Sequence, residues 1–252
     1  MGPQNGEDVG VATTRKTFAI LETLRESEGL SIAEITRRTE LTKSTVYRHL
    51  KTLQELGYVI ERDGEYYIGM GLLEIAEQTR NREPGYTVAQ RKVFDLGRET
   101  DERAMFLVEE NFEGVYLYRY GSPSNTMVGE RRPLHALASG KVILAEFDDD
   151  RLERFVERKE LGQHAKNTIT GQGALREELA EVREQGYALN DEEYMDGLFG
   201  VAVPVYTPED ELLGSLGLFG PTSRFTDEYL YDDLIDRLWD KAGEIKVTLA
   251  YG

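Results

Sequence analysis

The residue types that most often carry covalent or metal chemistry are scarce in this chain of 252 residues. It has no cysteine, which excludes disulfides and thiolate metal sites, and its three histidines are His49, His135 and His164. The run Leu137-Ala138-Ser139-Gly140-Lys141-Val142 matches part of a phosphate-binding loop. However, position 135 is His where the first glycine belongs, and Val142 stands where a Ser or Thr would hold magnesium. Ser139 and His135 offer a nucleophile and a base, yet a spacing of four residues with no third group specifies no triad. The run reads better as a helix start made of small residues, where backbone packs closely. Asp191-Glu192-Glu193 could hold a hard cation, but in so acidic a chain it reads as a solvated face, and His164 as a lone surface residue. Neither a catalytic group, a metal site nor a cofactor is expected.

Recognition chemistry has a stronger signal. Acids make up nearly a fifth of the chain, yet none occurs between Glu40 and Glu55, a gap that holds Lys43, Arg48, His49 and Lys51. At 100° per residue, Ser44, Tyr47, Arg48 and Lys51 share one helix face, with Val46, Leu50 and Leu53 roughly opposite. One face packs, and the other offers hydroxyls and cations of the kind that meet base edges and phosphates. Arg62 and Tyr67, slightly downstream, are candidates for a second contact.

The elements needed to position that face are legible. Phe18, Ile20, Leu21 and Leu24 space a first helix over 14–26, and Ser31-Ile32-Ala33-Glu34 is a capping box opening a second. Thr42 is a plausible N-cap for the third helix, running to about Leu56. Tyr58 to Arg62 and Glu65 to Ile68 flank Asp63-Gly64, a strong hairpin signal. Three helices and a hairpin give the order of a winged helix-turn-helix. Leu72, Leu73, Ile75 and Ala76 then head a linker helix, with Pro84-Gly85 as its breaker. Beyond it, hairpins are expected over 104–120 and 201–219. Helices are expected at 138–147, 151–158 and 175–185, and Thr226 caps a long C-terminal helix to about Leu249. Hairpins with helices around them predict an antiparallel α+β domain. The predicted layout is a flexible tail over 1–11, a DNA-binding domain over 12–70, a linker helix over 71–85 and an effector domain over 86–252.

Charge separates the same parts. The chain carries 30 basic and 47 acidic residues, a net −17, which excludes a basic nucleic-acid coat or a membrane-surface protein. Residues 12–70 hold nine of each sign and are neutral; residues 71–252 carry −15. Only nine of the 30 basic residues are lysine, and this acidic surface suits concentrated salt, so a halophilic origin is expected. No run approaches the ~18 apolar residues of a membrane span, and 1–11 lacks the features of a signal peptide. A soluble, cytoplasmic protein with no membrane contact is expected. Gly197, Gly200, Gly214, Gly217 and Gly220 punctuate the last strand pair, which fits either a ligand cleft or simple bulging.

Several motifs resemble the IclR family of bacterial and archaeal transcriptional regulators over nearly the whole length. They include Phe18-Ala19-Ile20-Leu21, Leu30 to Ile35, Leu41 to Leu50 and Glu55-Leu56-Gly57-Tyr58. In the second part they are Leu134 to Lys141, Gln185-Gly186-Tyr187-Ala188, Val201 to Val205 and Gly220 to Arg224. The resemblance implies a winged helix that dimerises on operator DNA and a GAF-like domain that binds a small metabolite. It adds Thr42, Lys43 and Thr45 to Ser44, Tyr47, Arg48, Lys51 and Arg62 as expected DNA contacts. It also implies an effector cleft lined by Ala138, Ser139, Asn190, Asp191, Gly200, Gly217 and Phe219. Many members carry Cys or Ser at Gly200, and Ser at Gly217 and Phe219. That departure leaves fewer hydroxyls for a small carboxylate, and Asp191 disfavours an anion unless it is neutralised, so a polyol or sugar derivative fits the carboxylates better, with an aromatic or other organic acid as the alternative effector. The expected partners are double-stranded operator DNA, this effector and a second copy of the chain, as homodimer or homotetramer, with catabolic genes as targets. An enzyme with the winged helix as a docking module is the rival reading. A constitutive architectural DNA binder is disfavoured by the −15 of the second part.

Overall fold

A computed structural model describes residues 10–121 and 128–252. Residues 1–9 of the expected tail lie outside the described residues. The chain divides into two compact units, 1–79 and 80–252.

The first unit is built on α1 (Ala12–Arg25), α2 (Ile32–Thr39), α3 (Lys43–Glu55), the hairpin β1 (Val59–Arg62) and β2 (Glu65–Ile68), and α4 (Gly71–Arg80), whose last residue falls at the unit boundary. Ser31 caps α2 as predicted, its hydroxyl accepting from the Glu34 N–H while the Glu34 carboxylate accepts from the Ser31 N–H. Thr42 caps α3 by accepting from the Thr45 N–H. Asp63 and Gly64 both adopt positive φ, the geometry of a type I′ turn, and hold the two strands in register. Ile20, Leu24, Ile35, Val46, Leu50, Leu53 and Val59 form the core, so the apolar side of α3 is spent on packing and its polar side stays in solvent.

The second unit opens on α5 (Pro84–Thr100), which the sequence reading did not anticipate. Pro84 does not end a helix; it begins one, at the first turn, where a missing N–H costs nothing. Next come β3 (Arg103–Glu110), β4 (Glu113–Tyr120) and β5 (Arg131–Arg132), then α6 (Ala138–Ala145), α7 (Asp149–Arg158) and α8 (Gln172–Gln185). They are followed by β6 (Ala188–Asp191), β7 (Leu198–Tyr206), β8 (Leu212–Pro221), α9 (Asp227–Tyr229) and α10 (Ile235–Tyr251). Thr226 does cap, but the predicted long helix is interrupted: a π-helical segment, Leu230–Leu234, joins α9 to α10. The strands form one antiparallel sheet in the order β5-β4-β3-β8-β7-β6. Strand alternation sends Ala104, Phe106, Val203, Leu216 and Leu218 to one face, where α5 and α10 pack, and Met105, Leu107 and Ala202 to the other, under α6, α7 and α8. The protein is thus α+β, with a helix-turn-helix unit ahead of an antiparallel-sheet unit. No helix among the described residues is long and apolar enough to cross a membrane.

Candidate functional site: nucleic-acid interface and ligand cavity

On α3, Thr42, Lys43, Ser44, Tyr47, Arg48 and Lys51 are exposed, with Tyr47 53% accessible despite its ring. Thr45 is half-buried because its hydroxyl is held 2.9 Å from that of Thr42, inside the cap. Arg48 also borders a groove between α1 and α3 with Lys16 and His49, so Lys16 adds a cation that periodicity within α3 could not reveal. The ring of His49 lies 2.9 Å from the Thr17 hydroxyl, and its basicity is lowered by burial, then by Arg48 and Lys16. On the hairpin, Arg62 is exposed but flanked by Glu61, Asp63 and its cross-strand partner Glu65. Tyr67 is tied down: its hydroxyl donates to Glu65 at 2.8 Å, and its ring closes on Gly29, where a Cβ would stand 2.5 Å away. The polar face of α3 therefore offers more exposed donors and cations than the hairpin does.

In the second unit, a cavity of about 210 Å³ lies on the α6 face of the sheet. Register explains its floor. Arg103, Phe219, Gly200 and Asn190 are aligned across β3, β8, β7 and β6, so all four project to the same side. Ala138 and Ser139 at the start of α6 line it, as do Tyr116, Arg132, Leu137 and Tyr194. The α6 N-terminus has no side-chain cap, which leaves its positive end facing the cavity. Asn190 donates to the Ala136 carbonyl and accepts from the Glu193 N–H at 3.3 Å, keeping one amide proton for a ligand.

Two expected residues are placed elsewhere. Asp191, one step along β6 from Asn190, is exposed on the opposite side, because side chains alternate along a strand. Gly217 lies one pleat deeper, in the row of Met105 and Ala202, and supports rather than lines the cavity. A Cβ there would sit 2.6 Å from the Ser139 Oγ, so glycine is what lets α6 approach the sheet. Gly140 acts likewise, since a Cβ would fall 2.1 Å from the Leu134 carbonyl oxygen.

The acidic run is not wholly a solvated face. Glu193 is buried, and the Lys141 ammonium, 1% exposed, donates to Glu193 and Glu178 at 2.6 Å each. Burial raises the Glu193 carboxyl more than the Lys141 charge lowers it. His164 is exposed but not alone, its ring lying 5.7 Å from His135 and 5.4 Å from Tyr194. His135 spends its Nε2 on the Gly162 carbonyl at 3.0 Å, and the Ser139 Oγ is buried without a partner, so the two form no catalytic pair. No group of carboxylates and imidazoles among the described residues could hold a metal ion.

Sequence reasoning missed Arg103 and Arg132. The Arg103 guanidinium lies 5.8 Å from the Phe219 ring centre, and that of Arg132 lies 5.5 Å from Tyr194. Arg132 pairs with Glu130 at 2.5 Å, yet its Nε is buried without a partner, a state that costs about 1–3 kcal/mol unless a ligand relieves it. The alternation across β3 pointed to Arg103 once Phe219 was in view; β5, two residues long, gave no pattern for Arg132.

A winged helix with a donor-rich third helix, followed by an α+β unit holding a small, largely apolar cavity, defines a ligand-responsive DNA-binding regulator. The family of the IclR helix-turn-helix domain matches residues 13–63, and that of the bacterial transcriptional regulator IclR C-terminal matches residues 81–247. The HTH-type transcriptional regulator KdgR of Escherichia coli is 33% identical, over 96% of this chain and 94% of its own. The probable HTH-type transcriptional regulator ArcR of Halobacterium salinarum is 28% identical, over 97% of this chain and 96% of its own. The crystal structure of the Thermotoga maritima IclR superposes with a TM-score of 0.81 at 29% identity, covering 95% of this chain and 99% of that one. The chain belongs to the IclR family of transcriptional regulators, and is a DNA-binding regulator rather than an enzyme.

Proposed function

We propose that the polar face of α3 docks in the major groove of an operator, with Thr42, Lys43, Ser44, Thr45, Tyr47, Arg48 and Lys51 as contacts and Arg62 as a minor one. The second-unit cavity takes a small metabolite through Ala138, Ser139, Asn190, Gly200 and Phe219. Binding there shifts operator affinity by as much as the metabolite prefers one placement of the DNA-binding units over the other. The targets are catabolic genes in the cytoplasm, as the family likeness implies. The observation that carries the DNA reading is an exposed helix of hydroxyls and three cations in an otherwise acidic chain.

The working form is a homodimer, so the operator is palindromic with half-sites one helical turn apart or a multiple of it. Support comes from α4, which buries no residue and leaves Leu73 and Ile75 more than half exposed. Gel-shift titration of the promoter DNA beside the gene tests the assignment. Arg48→Ala and Lys51→Ala should each weaken binding about tenfold, while the folded spectrum is unchanged. Full affinity in both variants would exclude the α3 face. Sedimentation of the free protein distinguishes monomer, dimer and tetramer.

A further inference from the structure

We infer that the ligand of the second-unit cavity is a dianion: a small organic acid with an anionic group at each end and an apolar or ring-shaped middle. The inference rests on the reading of this cavity as the effector site and names the ligand class. Its lining holds two guanidinium groups and, among the described residues, no carboxylate. In a chain of 47 acids and 30 bases, a lining with two guanidinium groups and no carboxylate is against the trend, and Glu130, which is not part of the lining, pairs with Arg132 from outside it. Arg103 has no ion pair among the described residues, and Arg132 keeps its buried Nε–H unpaired after meeting Glu130 and the Arg131 carbonyl. Both side chains rest on aromatic faces, Phe219 and Tyr194, which hold the planar heads in place.

Their placement in the sheet separates them. Arg132 of β5 is aligned with Gly114 of β4, which is aligned with Glu109 of β3, six residues from Arg103. At about 3.3 Å per residue the two backbones stand roughly 20 Å apart along the strands. Two arginines whose backbones are so separated and that still line one cavity approach it from different directions, and one anionic group of the ligand is assigned to each. Met105, Leu137 and Leu198 supply apolar wall between them. Tyr116, whose hydroxyl is held protonated by burial, stands on the Arg132 side as a neutral donor. Asp191, the residue that made an anion look unfavourable, faces away.

Calorimetry on the full-length protein tests this with a defined set of probes: α,ω-dicarboxylates of four to eight carbons and benzene-1,4-dicarboxylate. The same acids as monomethyl esters, 3-phosphoglycerate as an acid with a carboxylate at one end and a phosphate at the other, and glucose complete the set. The best dianion should bind at least about tenfold tighter than its monoester, the scale of one charge-assisted pair. Arg103→Gln and Arg132→Gln should each erase that preference, bringing the dianion to within about threefold of its own monoester measured in the same variant. The inference is overturned if monoesters or glucose match the dianions, or if the preference survives both substitutions. Gly200→Leu, which fills the cavity floor, separates the two levels. If monoester or glucose binding disappears in that variant, the cavity is the ligand site and only the dianion fails. If binding persists there, or no probe binds, the site assignment fails as well.

Discussion

At the scale of single residues, the most consequential group is one that carries no chemistry of its own. Lys141 is buried between Glu178 and Glu193 and ties α6 to α8 and to the turn that presents Tyr194 to the cavity. Lys141→Met leaves the Glu193 carboxylate buried and unpaired, so a stability loss of about 3–5 kcal/mol is expected at pH 8 in urea titrations. Because burial already raises that carboxyl, protonation relieves it, and the loss should shrink near pH 5; a loss independent of pH would contradict the assignment. His135 acts in the opposite direction. Burial lowers its basicity, so below about pH 6.5, its ordinary value, the unfolded chain takes up a proton that the folded chain refuses. Stability therefore falls as pH drops through that point, and His135→Gln, which can still donate to Gly162, should flatten the curve. Gly217→Ala places a methyl on the Ser139 hydroxyl and should cost about 1–3 kcal/mol by overpacking, with Ser139→Ala in the same chain recovering most of it.

Elements decide which of these residues can act at all. The N-cap of α3 is also part of the DNA face proposed for it: Thr42 holds Thr45 while remaining exposed. Thr42→Ala should destabilise the first unit by about 0.5–2 kcal/mol, whereas Thr42→Ser should restore the cap. Thermal melts together with operator binding check this; an affinity loss that Ser does not recover would assign Thr42 to DNA rather than to the cap. Local rules made this unit readable from the sequence, because capping boxes, an Asp-Gly turn and 3.6-residue periodicity act within a few residues. They failed at Pro84, where the same residue type is compatible with ending a helix or starting one, and at Leu230, where a π-helical segment absorbs a mismatch no local signal announces.

On the scale of the whole molecule, net charge and function are reconciled by segregation. The −17 divides into a neutral stretch over 12–70 and an acidic remainder, most of it in the second unit, which is therefore the main source of repulsion from DNA. At ~1 M salt the screening length is about 3 Å, and that repulsion fades within a side chain's reach. In the proposed homodimer, Lys43, Arg48 and Lys51 of the two copies would neutralise about six phosphates, for a slope of log affinity against log salt of about −5. Operator binding measured from moderate to molar KCl should therefore decline less steeply than for a basic regulator of equal size. A slope near −10 would mean the electrostatic face extends well beyond α3.

The sequence by itself determined the helix-turn-helix order, the cap and outward face of α3, and the antiparallel α+β character of the second unit. Each of these follows from interactions between near neighbours. Only the tertiary structure decided the ligand cavity. Asn190 and Asp191 are adjacent in sequence yet fall on opposite faces of the sheet, and Arg103 and Arg132 come to one cavity from separate strands. Register across four strands set those outcomes. It depends on pairings between segments as much as 116 residues apart, which no local periodicity records.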